Sequence, residues 1–147
     1  MNTYAPTFED LHLPYFVYGT LRPDWGNSRV WRYRDGVPSH DGEAYVCGYQ
    51  MVDHGIPYAV ASARWSDRVV GCLITPPDDY SQRWSLRQAL DGLEGHPHHY
   101  ERVRCQANVP GGTVRAWIYT PTEWRPEGPI EPTGDYTNCG RRLRTTT

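Results

Sequence analysis

Residues 103 to 118 constrain the fold more than any other stretch. Val103, Cys105, Ala107 and Val109 alternate with other residues, Pro110–Gly111–Gly112 turns the chain, and Val114, Ala116 and Ile118 alternate again. Period-two patterning on both sides of a Gly-rich turn specifies an antiparallel hairpin. Two or three strands with one apolar face need something to cover it.

Other short strands supply that cover. Tyr15 to Tyr18 is aromatic and stops at Gly19. Glu43 to Val52 alternates Tyr45, Cys47, Tyr49 and Met51, a half-buried strand. After the Asp53–Gly55 turn, Tyr58 to Ala61 returns beside it, and Arg68 to Ile74 forms another strand closed by Pro76–Pro77. The period then changes. Leu86, Ala89, Leu90 and Leu93 fall at i, i+3, i+4 and i+7, which predicts a helix from about Ser81 to Glu94 with those four inside. Gly95 and Pro97 stop it. Asn27 to Arg34 reads as a helix or an extended loop, and no internal repeat is visible.

Five to seven short strands with one clear helix favour an α+β domain, a small mixed β-barrel with flanking helices. At 147 residues the chain fits one such domain. The expected domain runs from 12 to 137, with flexible ends at 1–11 and 138–147.

Composition excludes several functions. The formal net charge of −2 is far from that of a general nucleic-acid binder. All 15 basic residues are Arg; a coding bias explains a chain-wide absence of Lys better than a need for bidentate contacts. No apolar run is long enough to span a bilayer. Cys47, Cys72, Cys105 and Cys139 form no CxxC pair, and three of them lie in strand-like segments where a free thiol packs as a small hydrophobe. With no signal-peptide pattern, they point to four free thiols and a cytoplasmic protein.

The stretch "LDGLEGHP", 90 to 97, breaks local rules. Asp91 and Glu94 put two anions at the negative end of the helix dipole, at a cost of roughly 0.3–1 kcal/mol each. Gly92 costs about 1 kcal/mol relative to Ala. Residues three apart share a helix side, so the two carboxylates also repel. A frayed, solvated helix end would explain this, and so would a working site. Beside aromatic strands such a carboxylate has its charged form disfavoured, which suits a group that takes up and returns a proton near neutral pH.

Competing chemistries fit less well. His96, His98 and His99 invite a metal, but Pro97 breaks the helical spacing and no further ligands complete a set. The serines lack a G-x-S-x-G elbow. "VPGGT" at 109–113 precedes no helix, so it is a turn before it is a phosphate loop.

"FVYGTLRPDWGN" (16–27), "LDGLEG" (90–95), "YERV" (100–103), "VRAWIYTP" (114–121) and "PTGDY" (132–136), in this order, resemble the γ-glutamylcyclotransferase-like family, of the γ-glutamylamine cyclotransferase type. The resemblance covers about Tyr15 to Tyr136. It implies a small barrel with flanking helices around a ligand cavity, release of 5-oxoproline from γ-glutamyl amines or γ-glutamyl amino acids, and no metal or organic cofactor. By position it assigns Tyr18, Gly19, Thr20 and Leu21 to the loop holding the glutamyl part, with Gly19 leaving room for substrate. It assigns Glu94 as general acid/base, and Asn27, Tyr100, Arg102 and Tyr119 as pocket or supporting residues. Between Asp91 and Glu94 the residues alone leave a near tie; the resemblance breaks it toward Glu94. Asp24 and Trp25 depart from the family pattern at the expected pocket mouth.

The implied chemistry explains the lack of a nucleophilic triad. A γ-glutamyl group carries its own nucleophile, the α-amine, and needs folding, oxyanion donors and a proton carrier. A non-catalytic ligand- or partner-binding module on the same barrel is the alternative. An enzyme that removes a γ-glutamyl protecting group would share the chemistry and differ in the leaving group. The expected partner is a small-molecule γ-glutamyl substrate, with no nucleic acid and no membrane, and a monomer is slightly favoured over an oligomer.

Overall fold

A computed structural model describes residues 8–19, 21, 31, 39–54, 56–122 and 126–135, and it is α+β as expected. Its strands are β1 (Tyr15–Val17), β2 (Ser39–Cys47), β3 (Tyr49–Asp53), β4 (Pro57–Ala61), β5 (Arg68–Thr75), β6 (Tyr100–Val109) and β7 (Gly112–Pro121). The helix α1 (Tyr80–Glu94) lies between β5 and β6. Five strands close a barrel in the order β1-β5-β2-β6-β7. The closure is mixed, because β1 meets β7 in parallel while β5, β2, β6 and β7 follow one another antiparallel. The β6–β7 hairpin is paired from Tyr100↔Pro121 to Val109↔Gly112, as the period-two pattern requires.

The single strand expected over Glu43 to Val52 is two strands. Gly48, at φ 82°, turns the chain out of the barrel. Beyond it β3 pairs with β4 as a separate two-stranded sheet. Residues 129–131 run along the edge of β3, where Pro129 and Met51 carbonyls accept from the amides of Asp53 and Glu131. Gly134 O then accepts from Val70 N on β5.

Alternation along the strands builds two apolar layers. Phe16, Val69, Leu73, Ala116 and Ile118 fall in one. Tyr15, Val17, Ile74, Trp117 and Tyr119 fall in the other, together with Leu86 and Leu90 of α1. Burying each of those two leucines is worth about 1.5–3 kcal/mol. The helix begins at Asp79, whose side chain accepts from the Gln82 amide, a cap worth about 1 kcal/mol.

The helix lies where the pattern put it, but its buried face is rotated. Leu86, Arg87, Leu90 and Asp91 point inward, whereas Leu93 is 43% exposed. The pattern misses this because two of the inward residues are charged and find partners on distant elements. Arg87 donates to the Tyr15 hydroxyl at 2.7 Å and to the Glu9 carbonyl at 2.9 Å.

The same contacts change the reading of the N-terminal end. Residues 8–11, expected within a loose lead-in, pack on the domain. Leu11 is buried, Phe8 stacks on Trp84 at 4.1 Å, and the Trp117 indole donates to the Asp10 carbonyl. Polar sequence read as solvated here because its partners lie on α1 and β7. Residues 138–147 fall outside the described residues. Cys47, Cys72 and Cys105 sit in β2, β5 and β6 as free thiols, and burial pushes Cys105 up to about 12. Cys139 is outside the described residues. No helix among the described residues is long and apolar enough to cross a membrane.

Candidate active site

A cavity of about 190 Å³ opens where the end of β1, the β3–β4 hairpin, the last turn of α1, the start of β6 and β7 converge. Tyr18, Gly19 and Leu21 line it from the chain after β1, Ile56 and Pro57 from the hairpin, and Leu93 and Glu94 from the helix. His99, Tyr100 and Tyr119 complete its polar wall. The local reason is geometric. The helix stops because Gly95 takes the left-handed conformation at φ 68°, and its amide bonds back to the helix carbonyls. The last turn therefore ends at the cavity rather than running past it.

Among the described residues, Glu94 is the one carboxylate lining this cavity. Burial pushes its pKa up to about 7. The expected repulsion from Asp91 is not the cause, because Asp91 faces the other way. The Asp91 carboxylate receives Arg102 Nη1 at 2.5 Å and the Tyr119 hydroxyl at 2.6 Å, and all three are buried. The partners stand opposite each other across the β6–β7 ladder. The two acids at the helix end thus occupy opposite environments, one ion-paired beneath the helix and one recessed in the cavity.

Phenols surround Glu94. Tyr58 and Tyr100 stack at 5.4 Å with their hydroxyls hydrogen-bonded. Burial raises the pKa values of Tyr18, Tyr58 and Tyr100, and the Glu94 charge adds to the rise in each. All three stay protonated donors at neutral pH. The Tyr18 hydroxyl donates to the Tyr119 carbonyl at 2.8 Å, joining the β1 end to β7.

Of the residues singled out from the sequence, Tyr18, Gly19, Leu21, Glu94, Tyr100 and Tyr119 come together around the cavity. Arg102 lies behind the wall, on Asp91. Thr20, Asn27, Asp24 and Trp25 lie outside the described residues. Gly19 has a packing reason beside any functional one: a Cβ there would meet Pro57 Cγ at 2.9 Å. Ile56, Pro57 and His99 were not foreseen as lining residues. Only His99 carried a signal, as part of the histidine run; it stands edge-on to Tyr100 at 4.9 Å. His96 turns inward instead, accepting from the Arg102 amide, and no cluster among the described residues could hold a metal ion.

Three solved structures share the fold. An AIG2-like protein from Mus musculus is 24% identical with a TM-score of 0.67, over 82% of this chain and 86% of that one. An uncharacterised Pyrococcus horikoshii protein is 19% identical with a TM-score of 0.64, over 90% and 97%. An Arabidopsis thaliana protein is 21% identical with a TM-score of 0.60, over 94% and 87%. Comparison with curated proteins finds no match. The family model for γ-glutamyl cyclotransferase, AIG2-like, matches residues 15–138, most of the chain and the whole of the cavity wall described above. The chain belongs to the AIG2-like γ-glutamyl cyclotransferase family.

Proposed function

We propose that the protein is a γ-glutamyl cyclotransferase that releases 5-oxoproline from a γ-glutamyl amine or γ-glutamyl amino acid. The observation that carries this reading is Glu94: a cavity carboxylate whose burial brings its pKa to about 7, amid protonated phenols. A group near the working pH is suited both to accept and to return a proton.

The cavity is smaller than the roughly 300–1,000 Å³ typical of drug-sized ligands, which suits a glutamyl group with its leaving amine toward the mouth. Tyr18, Gly19, Thr20 and Leu21 hold the glutamyl part, with Asn27, Tyr100 and Tyr119 around it. The α-amine attacks the γ-carbonyl carbon, forming the ring C–N bond as the bond to the departing nitrogen breaks. Two protons leave the α-ammonium and two arrive on the departing amine to give an ammonium. Glu94 carries protons between the two nitrogens, and no water or external nucleophile is consumed. Holding amine and carbonyl in contact supplies the positioning contribution. Buried phenolic donors and main-chain amides of the loop stabilise the developing oxyanion. We place this activity in the cytoplasm, within a single domain spanning 12–137.

The test is a panel of γ-glutamyl amines, γ-glutamyl amino acids and glutathione incubated with the protein, with 5-oxoproline quantified. Product from at least one, at a rate proportional to enzyme, supports the reading. No product from any compound overturns it in favour of a binding module.

A further inference from the structure

The Asp91 carboxylate joins elements that the reaction needs to keep in register. It is 3% exposed, one helical turn before Glu94, and held by β6 through Arg102 and by β7 through Tyr119. Its carbonyl accepts from the amides of Gly95 and His96, so the two residues that follow Glu94 are tied to Asp91. His96 in turn accepts from the Arg102 amide, closing the loop back to β6. Tyr119 extends the connection: its hydroxyl is on Asp91, its carbonyl receives the Tyr18 hydroxyl, and the residue lines the cavity.

A buried ion pair is a poor source of stability in itself, since desolvation offsets much of the attraction. Its better-attested use is to fix one geometry among several. Here the geometry in question is the final helical turn. A glycine-containing turn, with Gly92 exposed and Leu93 at the rim, has little apolar packing of its own to hold it.

We propose that Asp91 is a positioning residue: clamped by Arg102 and Tyr119, it fixes the last turn of α1 and thereby sets where the Glu94 carboxyl sits and how dry it stays. Through Tyr119 and Tyr18 the same clamp holds the β1 loop against the helix end. This inference rests on the reading of Glu94 as the proton carrier. Among the described residues, the groups around Glu94 are Tyr18, Tyr58, Tyr100, His99 and Tyr119, and those around Asp91 are Arg102, Tyr119, Tyr15 and His96. Among the described groups it is burial that raises the Glu94 pKa, and burial is what a loosened turn would lose.

The experiment is a carboxyl-carbon NMR titration of Glu94 in the wild type, Asp91→Asn and Tyr119→Phe, assigned by the signal lost in Glu94→Gln, with kcat, KM and Tm measured alongside. In the wild type the midpoint is expected near 7. In both variants it is expected to fall toward the ordinary glutamate value of about 4.3. At temperatures where they are folded, kcat should drop by about 10- to 100-fold, the usual cost of a small misplacement. KM should change far less in Asp91→Asn. Tyr119→Phe removes one hydroxyl and keeps the ring, so it reports even if Asp91→Asn does not fold. A lower Tm with the Glu94 midpoint still near 7 and kcat unchanged would make the clamp purely structural and overturn the proposal. If no γ-glutamyl compound is turned over, the enzymatic reading fails separately, while the titration still decides whether the clamp sets the Glu94 environment.

Discussion

Asp91 and Glu94 sit one helical turn apart and have opposite fates. Asp91 faces the barrel, where an arginine and a phenol take up both of its oxygens. Glu94 faces a cavity of phenols and apolar side chains, and burial raises its proton affinity. The contrast teaches that a carboxylate's role at a helix end is decided by which strand it faces. Dipole and spacing treat the two alike; tertiary partners separate them.

The two acids should differ most in their effect on rate. Glu94→Gln keeps size and hydrogen bonding but carries no proton, so kcat should fall about 10²–10⁴-fold with KM little changed. Steady-state kinetics on the best substrate of the panel would measure it, and an active variant would remove Glu94 from the mechanism.

On stability the order should reverse. Arg102→Met strands the Asp91 carboxylate in a buried site, and breaking such a pair costs about 3–5 kcal/mol. Denaturant unfolding at pH 7 should find Arg102→Met far less stable than Glu94→Gln.

Glu94→Gln itself should be the more stable protein at high pH. The folded pKa, about 7, lies above the unfolded value, so wild-type folding is favoured below about 4.5 and loses stability as pH rises to 7. Glutamine escapes that loss. The gap should be on the order of 1–3 kcal/mol at pH 8 and close toward pH 4. A gap that does not vary with pH would contradict the burial of the acid.

The cavity's other side should respond in binding as well as in stability. Gly19→Ala pushes a methyl group toward Pro57, and overpacking of this kind costs about 1–3 kcal/mol unless the hairpin shifts. A modest loss of Tm with a raised KM is expected. An unchanged KM would separate the Gly19 turn from the glutamyl site.

Much of the fold was legible because it is local. The 103–118 alternation and its Gly turn dictate the β6–β7 hairpin, and the change to a 3.6 period locates α1. What failed was whatever depended on distant partners. Arg87 and Asp91 look like surface residues until Tyr15, Arg102 and Tyr119 are brought alongside, so the helix face was misjudged. The alternation from Glu43 to Val52 continues through Gly48, and only the positive φ there reveals two sheets. The candidate site divides the same way. Tyr18, Gly19 and Leu21 share one short motif and Glu94 ends the helix, whereas Ile56 and Pro57 join the cavity through where the β3–β4 hairpin packs, which its local pattern does not specify.

The proposed mechanism turns on a recessed Glu94 that moves the proton. Its most direct test is the pH dependence of kcat/KM for the wild type, which reports the ionisations of the free enzyme and free substrate. Because the carboxylate form must take a proton from the substrate ammonium, a limb that rises with pH through about 7 is expected. A limb centred in the ordinary carboxylate range of about 4 to 5, or a profile flat from about pH 5 to 8, would contradict it.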